Sequence, residues 1–311
     1  MKRALLIVNP AARAGLDQSS RVAALQQNLQ QAGIDSEAIR TEAPQHAISL
    51  ARDAKHFDVI VAVGGDGTAN EVASGIDAQR APRPAFAVAP FGTGNDFAHH
   101  IRIHGDQDLV GAIASGEQHR IDILRVLCDN QVNATQRVAL NFAALGFSSE
   151  VHRQTTARMK RWFGPRHCYS VGFFRALLTY RAPLVEARTD DLVLRKRLLF
   201  ACAANAPSAG GGNMQLAPGA LIDDGLMNIS LIDAVSPWAA ARQFGRLSRG
   251  EHIYHPNVRY FVGTKLYLNA EPTTEIAVDG EHAGFTPATI TIAPAALMLC
   301  TPADPGDHPK R

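Results

Sequence analysis

The stretch Val63-Gly64-Gly65-Asp66-Gly67-Thr68-Ala69-Asn70-Glu71 decides how the rest of the chain is read. An apolar run, Phe57 to Val63, leads into it, and a helix-like pattern of Asn70, Glu71, Val72, Ala73 and Ile76 follows. This is the order strand, glycine turn, helix. Glycines at such a turn let the backbone approach a ligand, and the N–H groups at the start of the next helix suit a phosphate. Asp66 does not fit a bare phosphate, because a carboxylate repels one unless a divalent cation lies between them. The loop therefore points to a Mg²⁺-nucleotide. The plainer alternative is a tight turn in a buried α/β sheet with a solvated Asp.

Working outward, Ala4 to Val8 is a short continuous apolar run ended by Asn9-Pro10, the pattern of a parallel strand buried on both faces. After a loop with Gly15, Val22, Leu25 and Leu29 recur at helical spacing up to Gly33, and a strand is expected from Ser36 to Thr41. Ile48, Leu50, Ala51 and Ala54 mark a further helix before the opening motif. This alternation predicts an open, mostly parallel α/β sheet. Pro84 to Ala89 is its next strand and runs into Pro90-Phe91-Gly92-Thr93-Gly94-Asn95-Asp96-Phe97-Ala98. Ligands of open α/β sheets bind beyond the strand C-termini, so two glycine loops there line one crevice; the alternative for the second is an ordinary Asn or Asp helix cap.

Beyond a helix near Leu109 to Ala114 the pattern changes to short strands: Ile121 to Cys128, Val138 to Ala144, Leu192 to Leu194, Leu198 to Ala203, Leu226 to Ile232, Lys265 to Leu268, Glu275 to Val278 and Ala288 to Ile292. Asp129-Asn130 reads as a hairpin turn, and one helix, Pro237 to Ser248, interrupts the series. The expectation is α/β plus all-β: a nucleotide-binding domain over 1–122, a β-rich sandwich or barrel over 123–295, and a disordered tail over 303–311.

Composition narrows the function classes. At 311 residues two domains are the default, and 46% hydrophobic residues supply their cores. A formal net charge of +2 gives no reason to expect a nucleic-acid partner. Cys128, Cys168, Cys202 and Cys300 lack CxxC or Cys/His spacing and read as buried thiols of a reducing compartment. Ala4 to Val8 is too short for a signal peptide, and no apolar run approaches the roughly 18 to 20 residues of a spanning helix. A cytoplasmic protein that visits the inner membrane surface without crossing it is expected. No GxxxxGK[ST] run occurs, glycine spacing from Gly65 breaks at Asn70 where GxGxxG needs its third glycine, and HRD and DFG are missing. A nucleotide site of another type remains.

Gly64-Gly65-Asp66-Gly67-Thr68 with Asn70-Glu71 resembles the signature of bacterial diacylglycerol kinases, sphingosine and ceramide kinases and, more distantly, NAD kinases and 6-phosphofructokinases. Pro90 to Ala98 resembles the second loop of the lipid-kinase branch. Asn205, Gly210-Gly211-Gly212, Ala220 to Leu226 and Val278-Asp279-Gly280-Glu281 follow in that family's order. The resemblance covers the chain to about Pro302 and is nearest to YegS-like lipid kinases. One departure is His99-His100, where the lipid kinases often carry Arg.

The resemblance implies a cleft between the two domains and a chain that returns to the first over 296–302. It implies that Thr41, Gly64, Gly65, Asp66, Gly67, Thr68, Ala69, Asn70 and Thr93 contact ATP. Leu221 and Leu226 would hold Mg²⁺ through their carbonyls and Asp224 through its side chain, and Glu281 would be the catalytic residue. The chemistry agrees: phosphoryl transfer needs positioning, charge neutralisation and a group to accept the proton of the attacking hydroxyl. Glu281 can be that base, and Asp66 can position the catalytic Mg²⁺ or its water shell. Without the other motifs, Asp279-Gly280-Glu281 would read as a hairpin turn and Asp223-Asp224-Gly225 as an ordinary one. Asp122 matches a family Asp at the domain junction and is a supporting residue.

His152 to Arg181 carries seven Lys or Arg and no acid, interleaved with Trp162, Phe163, Tyr169, Phe173, Phe174 and Tyr180. Such a stretch suits anionic lipid head groups at a membrane surface. Single-stranded nucleic acid or a basic face over a core helix are the alternatives. The expected activity is Mg²⁺- and ATP-dependent phosphorylation of a membrane-lipid hydroxyl, with phosphatidylglycerol or diacylglycerol ahead of a sphingoid base. Its rivals are an NAD kinase and a non-catalytic, nucleotide-sensing lipid-binding module.

Overall fold

The computed structural model describes residues 1–12, 18–79, 83–129, 136–146 and 180–302. The Gly15 loop, the Asn130 end of the expected hairpin, Cys168, nearly all of the basic aromatic stretch and the 303–311 tail lie outside the described residues. The chain forms two compact units. Unit 1 comprises Met1–Ile123, Gly210–Gly212 and the chain from Pro294; unit 2 comprises Leu124–Ala209 and Asn213–Ala293.

Unit 1 is an α/β unit. Strands β1 (Lys2–Val8), β2 (Ile34–Arg40), β3 (Val59–Gly64) and β4 (Ala85–Pro90) are parallel in the order β2-β1-β3-β4. The last part of the strand ending at Cys300 joins beside β4, with Leu299 opposite Phe86. All residues of β3 and β4 are buried, which explains their unbroken apolar runs. Helix α1 (Gln18–Gln31) buries Val22, Leu25 and Leu29 at helical spacing. Helices α2 (His46–Asp53) and α3 (Asp66–Asp77) pack closely because Gly75 leaves room: a Cβ there would run into the Ile48 carbonyl and the Ala51 side chain. Two shorter helices follow, α4 (Asp96–His100) and α5 (Asp106–Ser115).

Several elements differ from the sequence expectation near the motifs. Strand β2 begins at Ile34 and stops at Arg40, so Thr41 lies just past it. Helix α3 begins at Asp66, not near Asn70, so the motif residues Asp66, Gly67 and Thr68 form its first turn. The apolar periodicity hid this start because Gly67 and Thr68 interrupt it. A further helix, α4, follows directly on the second glycine loop.

Unit 2 is β-rich and antiparallel. Its strands are the end of β5 (Gln118–Cys128), β6 (Gln136–Ala139), β7 (Phe142–Gly146), β8 (Leu184–Arg188), β9 (Val193–Ala204), β10 (Met227–Asp233), β11 (Val258–Gly263), β12 (Lys265–Glu271), β13 (Glu275–Val278), β14 (Glu281–Phe285) and the start of β15 (Ala288–Cys300). Strand β9 joins two layers: its first half pairs with β8, its second half with β7 and β10. Leu124, Leu145, Val185, Leu198, Ile229, Leu266, Ile276 and Ile290 meet in the core between them. Helix α6 (Pro237–Ser248) starts where the sequence places it. Ser236 caps it by accepting the Ala239 N–H, and Pro237 occupies the first turn, where its missing donor costs nothing.

The expected strand Val138 to Ala144 is two strands. The N–H groups of Leu140, Asn141 and Phe142 all donate to the Asp279 carboxylate at 2.9–3.0 Å, which takes Leu140 and Asn141 out of the ladder between β6 and β7. Conversely, Val193–Leu194 and Leu198–Ala203 belong to one strand, β9, which continues through the exposed Arg195, Lys196 and Arg197 by pairing with β8, and Leu192 lies just before it.

Candidate active site

The two glycine loops of unit 1 meet at the C-terminal edge of the parallel sheet. The Phe91 N–H donates to the Gly64 carbonyl at 2.8 Å, extending the β3–β4 pairing into both loops. A Cβ on Gly92 would run into the Gly65 backbone, and one on Gly94 would lie 3.0 Å from Asp66 Oδ2. Only glycine permits that approach. Thr41 reaches the same edge, its N–H donating to the Val8 carbonyl at 2.9 Å. Sequence motifs far apart in the chain are thus drawn together by strand order alone: Thr41 after β2, Gly64 to Thr68 after β3 and Thr93 after β4.

At the start of α3 the N–H groups of Asp66, Gly67 and Thr68 precede the first intrahelical bond, from the Ala69 N–H to the Gly65 carbonyl. These donors and the helix dipole make an anion site of the kind phosphates occupy. Asn9, at the end of β1, donates from Nδ2 to Thr68 Oγ1 at 3.0 Å and orients that hydroxyl. Asn9 was not singled out from the sequence, although its place after the first parallel strand was a usable signal. Asp66 Oδ1 accepts the Phe97 N–H at 3.1 Å. Asn95 closes the second loop on itself: its Nδ2 donates to the Gly92 carbonyl and its Oδ1 accepts the Gly92 N–H. Glu71 accepts the N–H groups of Gln45 and Ala47 and so holds the start of α2.

Asp96 anchors a third glycine segment. Its carboxylate accepts the N–H groups of Gly210, Gly211 and Gly212, all three of which adopt positive φ. Three successive N–H groups turned to one side form an anion nest, and Asp96 fills it. The His99 ring lies against Gly212. Asp122 is 2% exposed and accepts the Ala295 N–H at 2.7 Å, where Ala295 takes the left-handed conformation.

In unit 2, Asp279 (φ +48) and Gly280 (φ +86) form the turn between β13 and β14, and Glu281 is the exposed first residue of β14. The three N–H donors on Asp279 fix that turn, and the Asp279 N–H donates back to the Phe142 carbonyl. Asn205 braces the same place, its Nδ2 donating to the Leu140 carbonyl. Cys202 lies nearby; burial first and the Asp279 charge second hold its thiol well above the ordinary range.

Leu221, Asp224 and Leu226 lie on the segment before β10, where the Leu226 N–H donates to Asp224 Oδ1 at 3.0 Å. The segment is tied down upstream: the Tyr260 hydroxyl donates to the Pro218 carbonyl, and Asn228 donates to Tyr260. Burial pushes the Tyr260 phenol up to about 12, so it stays a donor. Among the described residues no group of three or more His, Cys, Asp or Glu side chains converges as a metal site. The donor set that Leu221, Asp224 and Leu226 offer is one carboxylate and two main-chain carbonyls. All are hard oxygens of the kind Mg²⁺ accepts with water completing its shell, so these residues fit the ion as a partial set.

Comparison with known proteins agrees with this architecture. Residues 3–126 match the diacylglycerol kinase catalytic domain, and residues 141–301 match the YegS C-terminal NAD kinase beta sandwich-like domain. A diacylglycerol kinase of Staphylococcus saprophyticus is 30% identical over 307 residues, covering 97% of this chain and 96% of that one. One of Staphylococcus aureus strain JH9 is 32% identical over 293 residues, covering 92% and 88%. Among solved structures, a diacylglycerol kinase from Bacillus anthracis superposes with a TM-score of 0.71 at 19% identity, covering 98% of this chain and 97% of that one, a likeness of fold. Two domain families in the expected order, and full-length relatives at 30% identity or more, show that the chain belongs to the diacylglycerol kinase family.

Proposed function

We propose that this protein transfers the γ-phosphate of ATP to a hydroxyl of a membrane lipid, of the diacylglycerol or phosphatidylglycerol type, in a Mg²⁺-dependent reaction at the inner membrane surface. The observation that carries the reading is the backbone contact of Gly65 with Gly92, which sets two glycine loops side by side at the start of α3.

In this reading Gly64 to Asn70, Thr41 and Thr93 hold the nucleotide. The first-turn N–H groups of α3 take the phosphates, and the Asn9-oriented Thr68 hydroxyl is positioned beside them. The carboxylate of Asp224 and the carbonyls of Leu221 and Leu226 would hold Mg²⁺, with Asp66 ordering its water shell. The bound ion neutralises phosphate charge. Glu281 accepts the proton of the lipid hydroxyl as its oxygen attacks the γ-phosphorus. The bond from that phosphorus to the β–γ bridging oxygen breaks, and ADP carries away the bridging oxygen. Asp279 keeps Glu281 at the start of β14 by fixing the turn that precedes it.

Transfer of label from γ-labelled ATP, with and without Mg²⁺, is the test over a panel of diacylglycerol, phosphatidylglycerol, a sphingoid base and NAD. Label on a glycerolipid that needs Mg²⁺ supports the reading. Label on NAD alone, or on nothing while ATP still binds, defeats it.

A further inference from the structure

The exposed side of α6 and the turn after it have no role in the site above. On α6, Trp238, Arg242, Arg246 and the following Arg249 recur so that at helical spacing they fall within roughly 80° of arc. All four are exposed, Trp238 at 75%. Ala240 and Leu247, on the other side, are half-buried, as is Ala239 at the edge of the arc. The one-turn 3₁₀ helix Glu251–Tyr254 packs on α6 and carries Tyr254, 83% exposed.

No acidic residue occurs from Ala234 to Gly250. The nearest carboxylate downstream, Glu251, is engaged by Arg249 at 2.8 and 2.9 Å. Asp233 upstream is taken by Lys196 and Arg259. Arg242 Nε reaches the Trp238 carbonyl at 3.5 Å, which leaves the rest of its guanidinium facing outward. Single exposed apolar residues are ordinary. An indole, a phenol and two outward guanidiniums, of which Arg246 also feels the Glu251 carboxylate, share one short segment.

We infer that the Trp238–Arg242–Arg246 face of α6, with Tyr254 beside it, docks on an anionic phospholipid bilayer. Indole and phenol rings settle at head-group level, and each guanidinium takes lipid phosphate oxygens in pairs. Among the described residues no helix is long and apolar enough to cross a membrane, and α6 lies on the surface instead. The inference rests on the lipid-kinase reading for its choice of bilayer over nucleic acid.

The chain has two tryptophans, so full-length protein carrying Trp162→Phe reports from Trp238 alone. Titration is made with vesicles of phosphatidylcholine, and of phosphatidylcholine mixed equally with phosphatidylglycerol. Only the mixed vesicles are expected to shift Trp238 emission to shorter wavelength and to quench it through brominated acyl chains. Reversing two charges, Arg242→Glu with Arg246→Glu, is expected to weaken binding to the mixed vesicles at least about twenty-five-fold, taking each charge as worth about fivefold. Flotation of the doubly reversed protein with both tryptophans in place measures the same loss if Trp162→Phe fails to fold. Unchanged emission, unchanged flotation, or tighter binding of the wild-type face to single-stranded DNA than to mixed vesicles would overturn the docking surface. Phosphorylation of short-chain diacylglycerol in detergent micelles separates the two claims. The reversed protein is expected to keep that activity within about twofold of wild type, as a factor this small is under about 0.5 kcal/mol. A wild type inactive on every lipid there defeats the kinase reading, while the fluorescence still decides docking.

Discussion

Asp66 Oδ1 accepts the N–H of Phe97 at 3.1 Å, so the carboxylate of the first glycine loop also caps the helix that follows the second. One side chain therefore joins structure to proposed chemistry, and the two can be pulled apart. Asp66→Asn keeps an oxygen for Phe97 and removes the charge. Its melting temperature should stay within a few degrees of wild type while kcat falls at least about a hundredfold, as for loss of an electrostatic group in a phosphoryl-transfer site. Thermal denaturation alongside initial rates checks this, and an active Asp66→Asn would remove Asp66 from the chemistry.

Gly92→Ala places a methyl against the Gly65 backbone, which cannot swing aside as a side chain would. We expect a loss of about 1–3 kcal/mol in denaturant unfolding and a raised KM for ATP. Gly111, on the exposed face of α5, has nothing within 4 Å of the same added atom. Gly111→Ala should be neutral or stabilising by up to about 1 kcal/mol, with KM unchanged. Equal effects of the two substitutions would mean that the loops are not in contact.

His252 is 5% exposed, and burial holds its pKa below the ordinary value near 6.5. The fold keeps this imidazole neutral, whereas the unfolded chain protonates it freely. Its contribution to stability is therefore complete above about pH 6.5 and is lost as pH falls from there toward the folded value. His252→Gln should flatten the fall in melting temperature between neutral and mildly acidic pH relative to wild type. Parallel curves for the two proteins would contradict it.

Cys128, Cys202 and Cys300 are each at most 3% exposed, and burial raises all three thiols, Cys300 to about 11. Protonated and shielded, they should resist iodoacetamide at pH 8 in native protein and react fully once unfolded. Peptide mass spectrometry of the alkylated chain reads this directly, and rapid native labelling at any of the three would be inconsistent with the packing described.

Much of unit 1 was legible because buried parallel strands announce themselves as unbroken apolar runs. The runs ending at Val8, Val63 and Ala89 fall on β1, β3 and β4, and strand order carries their loops to one edge. The family signature named the motifs around them. Helix α6 was legible from Pro237 at its first turn; its Ser236 cap was not read from the sequence. What stayed hidden depends on partners distant in sequence. Nothing local in Asp96 shows that it fills the nest of Gly210 to Gly212, 114–116 positions away, and nothing in Leu140 and Asn141 shows that Asp279 draws their N–H groups out of a strand. Strands β11 and β14 escaped because they are short and largely uncovered, so neither alternation nor a continuous apolar run marks them, and β8 because its alternation, Val185 to Arg188, lasts only four residues.

In the proposed reaction Glu281 accepts the proton of the lipid hydroxyl during phosphoryl transfer. Single-turnover transfer from γ-labelled ATP to the glycerolipid acceptor, for wild type and Glu281→Gln, tests it most directly. The expected transfer rate is at least about a hundredfold lower in Glu281→Gln, with ATP affinity within about twofold of wild type, since the proposed role of Glu281 is on the acceptor and not on the nucleotide. Equal transfer rates in the two proteins would contradict it.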